Sequence, residues 1–367
     1  MNRLAPETSL DPSVRNARVA EFTALPTPRG LLAELPLTAQ AEATVARGRD
    51  EVRAVLDGVD DRLLVIVGPC SIHDPDAALD YARRLATAAH EHREDLLVVM
   101  RTYFEKPRTT IGWKGLINDP HLDGTHDIAA GLRAARKVLL AALGLGLPTA
   151  TEFLEPISPQ YTADTIVWGA IGARTAESQI HRQLVSGLSM PVGFKNGTDG
   201  GLQVAVDACR AAAAAQAFLG IDDDGRAALV STSGNADTHL VLRGGASGPN
   251  YDAASVAAAS ATMAAKGLNP RLIVDASHAN SGKDHRRQAD VALEIGAQIS
   301  SGGPSAGAVA GVMLESFLVG GAQALEPGSL DRLVYGQSVT DACMDWEVTE
   351  RVLSALAGAA HSRRTRA

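Results

Sequence analysis

The stretch "VIVGPCSIHDP" (Val65–Pro75) changes character halfway. An apolar run that reads as a buried β-strand, Leu63–Val67, stops at Gly68-Pro69, and a cysteine follows at once. Cys70 could pack, attack as a nucleophile or hold a metal there. A helical pattern then runs from Asp76 to His92. Strand, chemically loaded loop and helix form one unit, and its recurrence decides the fold.

Seven more apolar runs have strand length: Leu96–Met100, Pro148–Phe153, Ile166–Ile171, Pro191–Phe194, His239–Leu242, Leu272–Val274 and Gly311–Leu314. Helical patterns lie between most of them, at Asp127–Leu143, Gly200–Ala215, Ala253–Lys266 and Lys283–Ile299. Parallel strands need a crossover about a helix long, so β-then-α repetition predicts parallel pairing. Eight such units predict an α/β chain closed into a (β/α)8 TIM barrel, with a doubly wound sheet as the alternative. Phe218–Ser233, around the turn "GIDDDGRAA", reads as an inserted β-hairpin before strand six.

Residues 1–60 differ from the rest. They hold the proline-punctuated "LPTPRGLLAELPLT" and a helix pattern from Thr38 to Leu56. We expect an N-terminal extension that packs on the barrel or on a neighbouring subunit, and a catalytic barrel over 61–367.

The chain has 367 residues, 46% of them hydrophobic, enough for a large core. Three cysteines argue against a disulfide framework and for a reducing compartment. The first residues carry Glu7 and Asp11 and no apolar h-region, and no apolar run approaches the ~18 residues of a membrane span. A cytoplasmic protein without a membrane partner is expected. The net charge of −8 disfavours a nucleic-acid partner.

Each strand end carries a charged or ligating side chain: Cys70, then Arg101, Lys106 and Arg108, then Glu152, Arg174, Lys195, Arg243, Asp275 with His278, and Glu315. A barrel gathers its strand C-termini on one rim, where barrel enzymes place their sites. The basic set, Arg101, Lys106, Arg108, Arg174, Lys195 and Arg243, suits small phosphate and carboxylate anions. Only six lysines occur among 34 basic residues, which sharpens the interest of Lys195 within "GFKNGTDGG". No Walker motif is present, since Ser277 stands where the first glycine before "SGK" belongs. Cys70, His278, Glu315 and Asp341 offer a mixed divalent-metal shell, while a Cys70 nucleophile activated by His278 stays open. A sensor without turnover is the remaining rival. Cys209, Cys343 and His73 read as packing or loop-stabilising residues.

The blocks "GPCSIHDP", "MRTYFEKPRTTIGWKGLINDP", "ATEFLEPISPQY", "WGAIGARTAESQ", "PVGFKNGTDGG", "LRGG", "DASHANSGK", "GVMLESFLVGGAQ" and "YGQSVTDACMDW" resemble the type I 3-deoxy-D-arabino-heptulosonate 7-phosphate (DAHP) synthases. The resemblance runs from about residue 60 to 348, in order. It implies condensation of phosphoenolpyruvate with erythrose 4-phosphate, the first step of the shikimate pathway. The 3-deoxy-octulosonate 8-phosphate synthases share the barrel but are not expected to carry "KPRTTIGWKGL".

By the same resemblance, Cys70, His278, Glu315 and Asp341 would bind one divalent ion, Mn2+ foremost, with Fe2+, Co2+ or Zn2+ as alternatives. Arg174, Arg243 and the Gly172–Ala173 backbone would meet the phosphate of phosphoenolpyruvate. Arg101, Lys106 and Lys195 would meet its carboxylate, and Arg108 and Thr109 the aldose phosphate. Glu152 would place a water. Lys106, crowded by arginines, is expected to have a depressed pKa and to move protons. Pro159, Gln160, Gly187, Leu188, Ser189, Phe218 and Gly220 would form a pocket for an aromatic amino acid effector. Gly220 leaves room for a ring hydroxyl and favours tyrosine. The extreme N-terminus departs from the family, with Asn16 where an acidic residue would meet the effector's amine. A homodimer or homotetramer is expected.

Overall fold

The computed structural model describes residues 14–108, 112–325 and 330–366. Its centre is a closed barrel of eight parallel strands: β1 (Leu63–Gly68), β2 (Leu96–Arg101), β3 (Thr149–Glu152), β4 (Trp168–Ile171) and β5 (Val192–Lys195). After the antiparallel hairpin strands β6 (Ala217–Ile221) and β7 (Ala227–Ser231) come β8 (Thr238–Leu242), β9 (Leu272–Asp275) and β10 (Val309–Glu315). Pairing runs β1-β10-β9-β8-β5-β4-β3-β2 and returns to β1, so no barrel edge is left open.

Period-two alternation divides the core. Leu63, Val65 and Val67 of β1 pack outward in the cluster that includes helix residues such as Tyr81 and Leu85, while Leu64 and Ile66 face the interior with Leu97 and Val99. The loops turn into helices through aspartate caps. Asp74 accepts the backbone N–H groups of Asp76 and Ala77, with Pro75 at the first helical position of Pro75–Glu91. Asp127 and Asp284 each accept one backbone N–H, of Ala130 and Arg286, to cap Ile128–Gly144 and His285–Ser301, and Asp252 accepts those of Ala254 and Ser255 to cap Ala253–Ala265. The expected helix and strand boundaries differ from these by one to three residues in most cases, the range within which end fraying leaves any boundary.

The helix Ala39–Leu56 closes the floor of the barrel. Val45, Val52 and Val55 are buried in the same apolar cluster as the inward Leu64, Ile66, Leu97 and Val99. Arg53 Nε pairs with Asp237 Oδ2 at 2.6 Å just before β8, and Arg49 donates to the carbonyls of Ala163 (2.7 Å) and Ile166 (3.0 Å) just before β4. Each buried valine contributes about 1.5–3 kcal/mol, so this helix is part of the barrel's core.

The hairpin stands where the sequence predicts it. Leu219 and Leu229 face each other across its strands and are 92% and 72% exposed. One pair was not anticipated: β11 (Val319–Ala322) runs parallel to β12 (Gln337–Ser338). Strands this short, one containing Gly320-Gly321, carry no periodic signal, yet they set the loop bearing Asp341 against β10. Met344 N–H donates to Glu315 O at 3.0 Å, and Ser316 N–H to Gly68 O at 2.9 Å.

Candidate active site

The strand C-termini enclose a cavity of about 280 Å3 whose wall carries six cationic side chains: Lys106, Arg108, Arg174, Lys195, Arg243 and Lys283. Glu152, His278 and Asp341 supply the other titratable groups. In a chain of net charge −8, this concentrates positive potential in one concave place.

Cys70 is fully buried beyond β1. Lys106 Nζ lies 3.0 Å from its Sγ and 3.2 Å from its carbonyl oxygen. Burial first, then the Glu315 carboxylate, push the Cys70 thiol up, while Lys106 and Arg101 pull the other way. Ligand atoms of Cys70, Glu315 and Asp341 all lie within 4.8 Å of one another. One thiol and two carboxylates fit a divalent ion. His278 is outside that group of three but shares a small adjoining cavity with Glu315 and Asp341.

Local structure fixes each of these groups. Gln288, buried in the helix His285–Ser301, donates to Glu315 O (2.9 Å) and accepts from Glu315 N–H (2.6 Å). His278 has φ 54°, unusual for a residue other than glycine, and its carbonyl accepts the Lys283 N–H at 2.6 Å. Its Nδ1 lies 2.8 Å from Asp275 Oδ2. Asp275, at the end of β9 and 0% exposed in its side chain, also takes Lys195 Nζ at 2.9 Å. Burial would raise the Asp275 pKa, but His278, Lys195 and Ser277 hold it well below the ordinary carboxylate value.

The family is decided by comparison. The DAHP synthetase I family matches residues 35–354, which is most of the chain. The chain belongs to the DAHP synthetase I family. It is 58% identical over 360 residues to the phospho-2-dehydro-3-deoxyheptonate aldolase of Corynebacterium glutamicum, covering 97% of each. It is 52% identical over 347 residues to the Phe-sensitive enzyme of that name from Escherichia coli, covering 95% of this chain and 97% of that one. It is also 52% identical over 341 residues to the Tyr-sensitive one, covering 93% and 94%. The solved aldolase of the same name from Francisella tularensis superposes with a TM-score of 0.91 at 47% identity, covering 95% of this chain and 100% of that one.

Within this member of the DAHP synthetase I family, Gly172 and Ala173 line the cavity beside Arg174 and Glu152. A Cβ at Gly172 would collide with Glu152 Oε1, so glycine lets the carboxylate lie against the backbone. Arg174 donates to Pro107 O at 3.0 Å, and Arg108 Nε to Trp113 O at 2.7 Å. Thr109 lies outside the described residues.

Arg101 stands apart from the cavity wall. Buried, it donates to Pro69 O (3.1 Å), Cys70 O (3.2 Å), Glu315 Oε1 (2.8 Å) and Met313 Sδ (3.3 Å), with Cζ 3.6 Å from the Tyr103 ring centroid. It braces Cys70 and Glu315 from behind.

The expected depression of the Lys106 pKa is overturned. Burial lowers it, but Cys70, Glu315 and Glu152 outweigh both burial and Arg101, and the net shift is upward. Sequence shows the arginines near Lys106 but not the buried acids folded against it. For the alternative Cys70–His278 nucleophile pair, Cys70 Sγ meets Lys106 Nζ and His278 Nδ1 meets Asp275, with no hydrogen bond between Cys70 and His278 among the described residues.

Two contributors escaped the sequence reading. Lys283 lines the cavity in a left-handed conformation (φ 63°); its neighbour Gly282 and the scarcity of lysine were the available signals. Asn196 Oδ1 accepts the Arg243 N–H at 2.8 Å and its Nδ2 donates to Gly244 O at 3.1 Å, so it sets the turn that carries Arg243. Cys343, read as packing, also accepts the Cys70 N–H on its sulfur at 3.3 Å. Cys209 is buried in the core, and His73 meets Phe317 edge-on.

Two of the effector candidates meet the hairpin at opposite ends, Gln160 beside its turn and Gly187 at its base. Gln160 donates to Ile221 O at 3.1 Å next to Pro159, and a Cβ at Gly187 would meet Thr232 Cγ2 at 2.9 Å. Leu188 and Phe218 are half-buried, and the carbonyl of Ser189 accepts from Arg53 at 3.1 Å. A Cβ at Gly220 would stand 2.8 Å from Val230 Cγ2, so hairpin packing itself also demands a small residue there. Asn16 has φ 59°. Among the described residues no helix is long and apolar enough to cross a membrane.

Proposed function

We infer that this protein is a DAHP synthase, joining phosphoenolpyruvate to erythrose 4-phosphate at the first step of the shikimate pathway to aromatic amino acids. The observation that carries the reading is the convergence of six cations on one cavity beside the Cys70, Glu315 and Asp341 cluster.

Two phosphorylated substrates bring phosphate and carboxylate charge, which the six cations can divide. Arg174, Arg243 and the Gly172–Ala173 backbone take the phosphate of phosphoenolpyruvate; Lys106 and Lys195 take its carboxylate, with Arg101 behind them. Arg108 and Thr109 take the aldose phosphate. A divalent ion held by Cys70, Glu315, Asp341 and His278 would supply Lewis acidity toward an aldehyde oxygen. C3 of phosphoenolpyruvate bonds to the aldehyde carbon, water adds to C2, and C–O cleavage then expels inorganic phosphate. Glu152 positions that water and accepts its proton. Lys106, an ammonium whose pKa is not depressed, donates to the developing alkoxide. A carboxylate-rich set with one thiolate suits Mn2+, and the same donors take Fe2+, Co2+ or Zn2+.

We propose that the segment before the helix Ala39–Leu56 serves regulation and subunit contacts in a cytoplasmic homodimer or homotetramer, and that this helix, although within the expected 1–60 extension, belongs with the catalytic unit 61–367 whose barrel it closes. The effector favoured is tyrosine, through Pro159, Gln160, Gly187, Leu188, Ser189, Phe218 and Gly220. An amino-sugar variant of the aldose is the rival substrate. Phosphate release tests the reading: one phosphate per phosphoenolpyruvate is expected with erythrose 4-phosphate and little with arabinose 5-phosphate. Release with the pentose alone, or with an amino sugar alone, would refute it.

A further inference from the structure

Two of the cavity's working groups come from different strand ends and meet on one buried carboxylate. Asp275 Oδ2 receives Lys195 Nζ at 2.9 Å and His278 Nδ1 at 2.8 Å. Asp275 Oδ1 receives the backbone N–H of Ser277 at 3.0 Å and its hydroxyl as well. Four donors thus fill the acceptor capacity of an ionised carboxylate. Because Ser277 Oγ donates to Asp275, it can only accept from His278 Nδ1, 2.7 Å away. Both neighbours of Nδ1 are therefore acceptors, which places the imidazole proton on Nδ1 and leaves the Nε2 lone pair free.

We propose that Asp275 is the positioning residue of this site, fixing His278 as an Nε2 ligand and holding the Lys195 ammonium at the substrate carboxylate through one shared oxygen. The proposal rests on the DAHP synthase reading for the substrate half alone; its metal half concerns only this chain's donors. Asp275 is fully buried and does not line the cavity, so it acts through the two side chains it holds. Without that shared oxygen, His278 would be free to rotate or change tautomer, and Lys195 would lose the anion that keeps it beside β9.

The substitution Asp275→Asn tests this, because an amide must present NH2 to at least one pair of donors where the carboxylate presents only acceptors. Mn2+ binding to metal-free protein is measured by equilibrium dialysis, and KM for both substrates by phosphate release. Mn2+ affinity should weaken by about 10–100-fold, as expected when the partner of a ligating histidine is lost. KM for phosphoenolpyruvate should rise by about tenfold while KM for erythrose 4-phosphate stays within about twofold. Ser277→Ala removes one donor from Asp275 and one acceptor from His278 Nδ1 but leaves the Asp275–Lys195 pair, so KM for phosphoenolpyruvate should rise less than in Asp275→Asn. Retained Mn2+ affinity and KM in Asp275→Asn would overturn the proposal, as would a fall in kcat alone. Should Asp275→Asn not fold, the same two measurements on Asp275→Ser decide, and retained Mn2+ affinity and KM there overturn it. Absence of turnover in the unmodified protein would count against the synthase reading and leave the Mn2+ comparison to decide the histidine half.

Discussion

Lys106 Nζ rests 3.0 Å from Cys70 Sγ, so a group assigned to the substrates touches a group assigned to the metal. The ammonium is held charged by Cys70, Glu315 and Glu152 despite its burial. Lys106→Met should lower kcat at saturating substrates by about 10²–10⁴, the range for a lost proton donor. Initial rates with both substrates saturating check this; near-normal turnover would remove Lys106 from the chemistry.

Cys70 has the complementary test. Cys70→Ser keeps the shape but replaces a soft sulfur with a hydroxyl of much higher pKa. Metal affinity and activity should fall together, by more than the roughly 10–100-fold that loss of a supporting partner costs. Equilibrium dialysis beside the rate assay decides, and loss of activity with full metal affinity would make Cys70 something other than a ligand.

Glu105 predicts a pH dependence of stability. It is buried, with Oε2 accepting from Ser158 Oγ at 3.0 Å and Oε1 without a partner among the described residues. Burial is the main cause that pushes its pKa up, to about 8, and Glu155 adds to it. The unfolded chain loses this proton near pH 4.5 and the folded chain only near 8, so this carboxyl costs stability increasingly as pH rises between those values. Glu105→Gln should raise stability at pH 7 by up to about 3 kcal/mol and by little at pH 4.5. Urea unfolding at both pH values measures it; an equal effect at the two would contradict the assignment.

Val52 tests the barrel floor. It is fully buried in the helix Ala39–Leu56 against the barrel interior. Val52→Ala should cost about 2 kcal/mol of stability while leaving KM for both substrates unchanged. A surface packing of this helix would instead give a change within about 0.5 kcal/mol.

The barrel and most of its rim were legible in the sequence because nearly every apolar run stops at a glycine or a charge. Lys195 and Arg243 are readable in that way, and each lines the cavity. Residues that act through other residues were not. Asp275 looks like any strand-end acid until Lys195 and His278 fold onto it. Arg101 reads as a substrate arginine, yet its donors face Pro69, Cys70, Glu315 and Met313. The helix Ala39–Leu56 shows an amphipathic pattern but gives no hint that its partner is the interior of a barrel. Periodicity reports which face is buried; what buries it is a long-range fact.

The most direct measurement is the loss of phosphoenolpyruvate absorbance on adding erythrose 4-phosphate, with and without a chelator. The site described here requires consumption that depends on the aldose, stops when the chelator is added and returns with Mn2+. Consumption untouched by the chelator, or none with both substrates and Mn2+ present, would contradict it.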